Sequence, residues 1–318
     1  MGVIQSNISL KEHTSFRIGG NARYFLRTGN IDELKKGLEQ WKEISKDFSP
    51  EEKRIFVLGG GTNLLVSENG FPGLVIHPEM KFIEREGNVV SVGAGESLSS
   101  FVNFCLENSL AGLEWAGGLP GTVGGAVRGN AGAFGGETKD NISSVESIDI
   151  GTLQIKKRNR EECKFSYRDS AFKSGGGQNE IIISAQYALS LGDADVIRSE
   201  ADDHIEYRKS RHPLHLPNAG SVFKNVAVEK ISPEVLKQFE SHVKNDPFPV
   251  LPAAKIIAES GIVGHKIGDA QVSETHPNFI VNVGSATSQN VKDLILFEQR
   301  AIKEKYNIDL DPEIMFVE

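Results

Sequence analysis

Cysteine is scarce in this chain. Its 318 residues include two, Cys105 and Cys163, with no Cys-x-x-Cys pair. That argues against a disulfide scaffold and a cysteine-based zinc site. Cys105 lies on the apolar face of FVNFCLENSL and reads as a core residue. Basic excess is also missing. There are 35 Lys and Arg against 43 Asp and Glu, a net charge of −8, so no broad basic face offers itself to nucleic acid. No apolar run approaches the length that spans a bilayer. The stretch MGVIQSNISLKEHTSF lacks a basic segment followed by an apolar one, so the expectation is a cytoplasmic protein. No internal repeat or low-complexity tract is present. Two familiar phosphate motifs are absent as well: no G-x-G-x-x-G follows a strand, and no G-x-x-x-x-G-K-[ST] exists.

What the chain does have is glycine in one place. The stretch 112–136, GLEWAGGLPGTVGGAVRGNAGAFGG, holds ten of the 33 glycines. Apolar and β-branched residues lie between them, and Trp115 and Pro120 stiffen the run, which predicts an ordered loop rather than a linker. Glycine lets backbone approach a ligand closely and adopt positive φ. Successive N–H groups in such a loop suit phosphate oxygens. A second glycine loop, VLGGGTNLL at 57–65, directly follows an apolar strand pattern. Taken alone, it would read as a strand-to-helix bend. Two loops from different parts of one chain could clamp a pyrophosphate, as an extended dinucleotide needs. Asn63 and Asn130 sit beside glycines. Each could bind hydroxyls or phosphate, or simply occupy a left-handed turn.

Apolar periodicity predicts mixed helices and strands. Asn30 precedes a helix over 31–46, with Ile31, Leu34, Leu38 and Trp41 on one face and Asp32 and Glu33 in its first turn. Strands are predicted at 55–58, 74–77, 89–95, 144–150, 180–189 and 279–283. Further helices are predicted from Leu98, over 195–211, over 252–261 and over 288–306. Prolines cluster at Pro247, Pro249 and Pro252. The length favours about two domains, with a boundary near 205.

Seven ordered segments carry a resemblance over nearly the whole chain. HTSFRIGGNARYF, the two glycine loops, FSYRDSAFK, RKSRHPLHLPNAGSVFKN, AAKIIAESGIVGHKIGDAQVSETHPNFIVN and DLDPEIMFV appear in order. Together they resemble the UDP-N-acetylenolpyruvoylglucosamine reductases, flavin enzymes of bacterial peptidoglycan synthesis. The resemblance implies an α+β fold: two subdomains of the vanillyl-alcohol-oxidase/PCMH type holding FAD, then a C-terminal α+β substrate domain. The implied division is 1–82, 83–204 and 205–307, with 308–318 returning to the first part.

The resemblance also implies roles. Gly59, Gly60, Gly61, Thr62, Asn63, Leu64, Gly118, Pro120, Gly121, Thr122, Gly124, Gly125, Asn130, Ala131 and Gly132 would hold FAD. NADPH would reduce it. The substrate would be UDP-N-acetylglucosamine enolpyruvate, contacted by Tyr167, Arg211, Lys224 and Asn225. Hydride addition to an enolpyruvyl group builds negative charge beside a carboxylate, and fixed cations and acids must stabilise it. Arg168 would be the cation, Glu313 the acid partner and Ser221 the proton donor. A serine hydroxyl is a weak acid and serves only when held close. Read without the resemblance, Arg168 with Asp169 is a surface ion pair, Ser221 a turn residue and Glu313 a terminal or first-turn charge. His212 and His215 flank Pro213 without a supporting carboxylate, so no metal is expected. The expected protein is a monomer that binds no nucleic acid and inserts into no membrane.

Three positions depart from the family pattern. Arg128-Gly129 replaces a stretch with a common methionine, Phe134 a usual tyrosine, and His212 a common glutamine. The short 225–253 segment resembles the compact subtype without an extra substrate-covering loop. Two other functions stay open: a different FAD-dependent oxidase of the same fold, and a non-catalytic sugar-nucleotide-binding paralogue.

Overall fold

The computed structural model describes residues 3–245 and 248–318, so Pro247 lies outside the described residues. Its contacts divide into two compact units. The first contains 3–8, Ala22–Gly60 and Pro72–Arg208, and the second Ser9–Asn21, Gly61–Phe71 and Lys209–Glu318. The segments at 9–21 and 61–71 thus group with the C-terminal part of the chain.

Two sheets build the first unit. One has four strands in the order Gln5–Ser9, Asn21–Thr28, Phe71–Pro78 and Ile55–Val57, the last two parallel. The other has five antiparallel strands in the order Ile155–Asn159, Ile142–Asp149, Glu180–Ala188, Val89–Gly93 and Ile83–Glu86. Glu180–Ala188 is buried on both faces, which its near-continuous apolar sequence foreshadows. Side chains alternate along a strand. Ile181 and Ile183 join Leu26, Leu34, Leu38 and Trp41 in one core, and Ile182 faces the other. A register irregularity between Ile182 and Ser184 shifts the alternation so that Ala185 and Tyr187 join Ile182 with Phe101 and Cys105. Burial pushes the Cys105 thiol up to about 12, which leaves it an inert packing residue.

The expected helices form, the first behind Asn30 as expected. Asn30 Oδ1 accepts the Glu33 N–H at 2.9 Å ahead of the helix Ile31–Ile44. Ser97 caps Leu98–Glu107 in the same way. The glycine-rich stretch differs from expectation. It is not one loop: Glu114–Ala116 forms a 3-10 turn, and Val123–Gly129 is a helix capped by Thr122. Glycine's poor helix propensity hid it. Close packing explains it, because a Cβ on Gly124 would come 2.9 Å from Ala94 Cβ. The GGG turn also differs, since it joins strand Ile55–Val57 to strand Leu64–Val66 rather than to a helix.

The second unit has its own core around Ile256, Ile257, Ile280, Val291, Leu294 and Ile302. A four-stranded antiparallel sheet runs Asn218–Ser221, Phe279–Asn282, Ala270–Val272 and Lys266–Ile267. The helices Ala253–Ser260 and Ser288–Tyr306 form near their expected limits, and Gly261, at φ 85°, ends the first. The chain's last strand, Met315–Val317, lies parallel to Leu64–Val66.

Candidate active site

In the first unit the two glycine loops touch. A Cβ on Gly60 would lie 2.8 Å from Gly121 Cα, and one on Gly59 would lie 2.9 Å from Thr122 Oγ1. Glycine is required at both positions by close approach. The second loop is fixed to the turn after Val89–Gly93. Val123 N–H donates to the Glu96 carbonyl and Gly124 N–H to that of Ala94, both at 2.9 Å, while Leu98 N–H donates to the Gly121 carbonyl at 3.1 Å. Thr122 Oγ1 accepts the Gly125 N–H at 3.3 Å. A cleft of about 310 Å³ opens beside these loops, lined among others by Gly60, Gly121, Thr122, His77, Lys81 and Ser97. Side chains are missing where the loops approach most closely, and backbone groups, hydroxyls, Lys81 and the carboxylates of Glu79 and Glu96 border the cleft. These residues fit a flat, anionic dinucleotide such as FAD.

The rest of the glycine stretch builds the setting of Arg168. Asn130 ends the helix Val123–Gly129 in the left-handed conformation, φ 42° and ψ 59°. Its buried side chain is committed to protein: Nδ2 donates to the Ser166 carbonyl at 2.9 Å, and Oδ1 accepts the Lys139 N–H at 3.0 Å. Asn130 is 0% exposed, so neither its amide nor its backbone is open to a ligand in this structure. Ala131 accepts the Thr138 N–H at 2.8 Å, and Gly132 accepts Arg168 Nη2 at 2.8 Å. Gly118, at φ 72°, and Pro120 are exposed.

Arg168 itself has φ 58°, strained for a residue with a side chain. Ser166 and Asp169 exchange two backbone hydrogen bonds of 3.1 Å around the turn that carries it. Its guanidinium lies 5.1 Å from the Tyr167 ring centre. Lys173 Nζ donates to the Arg168 carbonyl at 2.6 Å. Asp169 does not act as the simple ion-pair partner its sequence position suggests. Its carboxylate takes the Ser170 N–H at 2.8 Å and the Ser174 hydroxyl.

In the second unit, Gly61 stands at φ 63°, where a Cβ would come 2.0 Å from the His13 carbonyl oxygen. Thr62 follows, half-buried, and Leu64 opens the buried strand. Asn63 Nδ2 donates to the Glu313 carbonyl at 3.1 Å, and the Met315 N–H donates to the Asn63 carbonyl at 3.0 Å.

Ser221 ends the strand Asn218–Ser221 opposite Phe279, just past an irregularity in the register. Gly220 supplies it with φ 77° and has open space where a Cβ would stand, so backbone conformation rather than crowding calls for glycine. Ser221 is thus a strand-end residue and not part of a free turn. Glu313 is not helical. Its N–H donates to the carbonyl of Val222, the residue after Ser221, at 2.7 Å, and the Lys224 N–H donates to the Asp311 carbonyl at 2.9 Å. One backbone ladder thereby joins the neighbourhoods of Ser221 and Glu313, far apart in sequence. Asn225 Oδ1 accepts the Ala253 N–H at 3.2 Å, tying down the start of a helix. Arg211 is the exposed last residue of the helix Ala194–Arg211.

Sequence reasoning overlooked three residues near these sites. Arg208 is buried, and burial lowers its guanidinium to about 10. It donates to the Gly117 carbonyl at 2.8 Å and the Trp115 carbonyl at 3.2 Å, and lies 4.8 Å from the Phe134 ring centre. Phe134 in turn stacks on His204 at 4.1 Å. A charged residue at a helical position consistent with burial, seven and eleven places from the buried Ala201 and Ile197, was the available signal. Lys173 and Asn278 gave none, because their partners are backbone carbonyls and amides. Among the described residues no group of three His, Cys, Asp or Glu is arranged to hold a metal ion.

Comparison with known proteins accords with this arrangement. Residues 212–317 match the family described as UDP-N-acetylenolpyruvoylglucosamine reductase, C-terminal domain, and residues 36–152 match the FAD binding domain family. The chain is 36% identical over 315 residues to the UDP-N-acetylenolpyruvoylglucosamine reductase of Clostridium novyi, covering 99% of this chain and 92% of that one. It is 36% identical over 317 residues to the same-named protein of Caldanaerobacter subterraneus, covering 99% and 94%. The crystal structure of the reductase from Thermus caldophilus superposes with a TM-score of 0.76 at 28% identity, covering all of both chains. With near-complete coverage at this identity, the chain belongs to the UDP-N-acetylenolpyruvoylglucosamine reductase family.

Proposed function

We propose that this chain is an NADPH-dependent FAD oxidoreductase that converts UDP-N-acetylglucosamine enolpyruvate to UDP-N-acetylmuramate in peptidoglycan precursor synthesis. The observation that carries this reading is the ladder that ties Glu313 to the residue after Ser221. It gives the two expected proton-handling groups a shared, rigid support. When bound, FAD would supply the hydride chemistry between NADPH and the enolpyruvyl double bond. The loops at Gly59, Gly60, Gly121, Thr122, Gly124 and Gly125 would hold it through backbone groups.

The protein's side chains manage charge and protons. Arg168 takes the substrate carboxylate, for which its planar fork is suited. The strained backbone there supports this reading, because strain of this kind persists where the surroundings hold a residue for use. The Ser221 hydroxyl delivers its proton to the carbon bearing the carboxylate. Glu313 stabilises the developing enolate as an acid partner. Tyr167, Arg211, Lys224 and Asn225 are assigned to substrate contact. For Asn225 the bond to Ala253 supports an indirect share, through the start of the helix Ala253–Ser260. Residues 1–82 with the tail 308–318, and 83–204, serve the flavin, and 205–307 the sugar nucleotide. The protein acts as a cytoplasmic monomer, which sedimentation of the purified holoenzyme tests.

The functional test separates the half-reactions. Stopped-flow absorbance should show NADPH bleaching the flavin and the enolpyruvyl substrate restoring its colour without oxygen. Restoration only by oxygen would favour an oxidase instead.

A further inference from the structure

Phe223 lies two residues beyond Ser221 and is 1% exposed, so its backbone N–H and carbonyl need partners within the protein. The 311–313 segment does not supply them. Phe223 stands opposite Pro312 in an antiparallel bridge whose hydrogen bonds fall on either side, from Glu313 N–H to Val222 and from Lys224 N–H to Asp311. The polar groups of Phe223 therefore point the other way. There they meet a side chain. Asn278 Oδ1 accepts the Phe223 N–H at 3.0 Å, and Asn278 Nδ2 donates to the Phe223 carbonyl at 2.8 Å. The Asn278 carbonyl also accepts the Val222 N–H at 2.8 Å. Asn278 is itself buried, 4% exposed. Its amide stands in for one residue of a neighbouring strand and continues the ladder past the end of Phe279–Asn282.

We infer that Asn278 is a positioning residue for the reductive half-reaction on the substrate, holding the 222–223 segment so that Ser221 on one side and Glu313 on the other keep their places. This rests on the roles assigned above to Ser221 and Glu313. Asparagine is required because one side must accept and the other donate. A carboxylate can accept the Phe223 N–H but cannot donate to the Phe223 carbonyl. Protonated, it can do both.

The test uses Asn278→Asp in the holoenzyme, with Asn278→Ala and Ser221→Ala alongside. In Asn278→Asp, NADPH should reduce the flavin at the parent rate. Reoxidation by UDP-N-acetylglucosamine enolpyruvate should fall by about 10²-fold at about pH 8, the scale set by a small misplacement of reacting groups. It should recover toward the parent as the pH falls to about 6 and the new carboxyl group gains a proton. Asn278→Ala should lose the same step at every pH, with no recovery. Parent-like reoxidation in both Asn278 variants would overturn the inference, as would an equal loss of both half-reactions, which would reduce Asn278 to general scaffold. Rapid reoxidation in Ser221→Ala would instead remove the assignment of Ser221, and the inference with it. Loss in Ser221→Ala with parent-like Asn278 variants would sink the inference alone.

Discussion

At the scale of single residues, backbone hydrogen bonds decide where chemistry can happen. Ser221 is held by a bulged strand end, and Glu313 by its N–H on Val222. Ser221→Ala should therefore keep flavin reduction by NADPH while slowing reoxidation by substrate about 10²- to 10⁴-fold, the usual range for a positioned proton donor. Rapid-mixing absorbance checks this, and near-normal reoxidation would rule out the proton-donor role. Arg168→Ala should weaken the same half-reaction, and a defect confined to NADPH oxidation would contradict its assignment. The ordered motifs made Ser221, Arg168 and Glu313 legible in sequence. Asn278 was not legible, because it acts on the backbone of Phe223, 55 residues away, and Lys173 was not, because its partner is a backbone carbonyl, that of Arg168. Asn130 was half legible. Its left-handed turn was anticipated, but the burial that commits its amide to Ser166 and Lys139 was not.

At the scale of elements, contact geometry explains the glycines. Gly60→Ala would drive a methyl group to 2.8 Å from Gly121 Cα. FAD affinity of the apoprotein, measured by fluorescence titration, should fall sharply while the urea midpoint changes less. Unchanged affinity would show that the loop contact does not serve the cofactor. The helix Ser288–Tyr306 holds a second oddity. Glu298 faces the core, 1% exposed, and both carboxylate oxygens lack hydrogen-bond partners. Desolvation raises its carboxyl well above the ordinary 4.5. The folded protein therefore keeps a proton that the unfolded chain releases. Its stability is fully present below that ordinary value and declines as pH rises toward the folded one, by about 1.4 kcal/mol for each pH unit between them. Glu298→Leu should raise the urea midpoint, and by more at higher pH. A pH-independent difference would refute this account. Apolar periodicity predicted this helix end to end, but its pattern does not reveal a carboxylate left without a partner.

At the scale of the whole molecule, chain order and spatial grouping part company. The segments 9–21 and 61–71 group with the C-terminal residues, because Leu64–Val66 pairs in parallel with Met315–Val317 and Gly61 packs on His13. Pairing between such distant strands leaves no local sign in sequence, whereas the longer helices, with periodicity of their own, were read to within about two residues, and the short helices Val123–Gly129 and Pro233–Gln238 were missed. Deleting 314–318 keeps Glu313 but removes that parallel partner, and should lower the urea midpoint. An unchanged midpoint would mean the tail strand adds nothing to stability. The central claim concerns the reaction, and anaerobic flavin absorbance tests it most directly. Bleaching by NADPH, followed by return of colour on adding UDP-N-acetylglucosamine enolpyruvate, is the predicted result. A flavin that bleaches yet regains colour only with oxygen, or a protein that cannot be reconstituted with FAD, would contradict it.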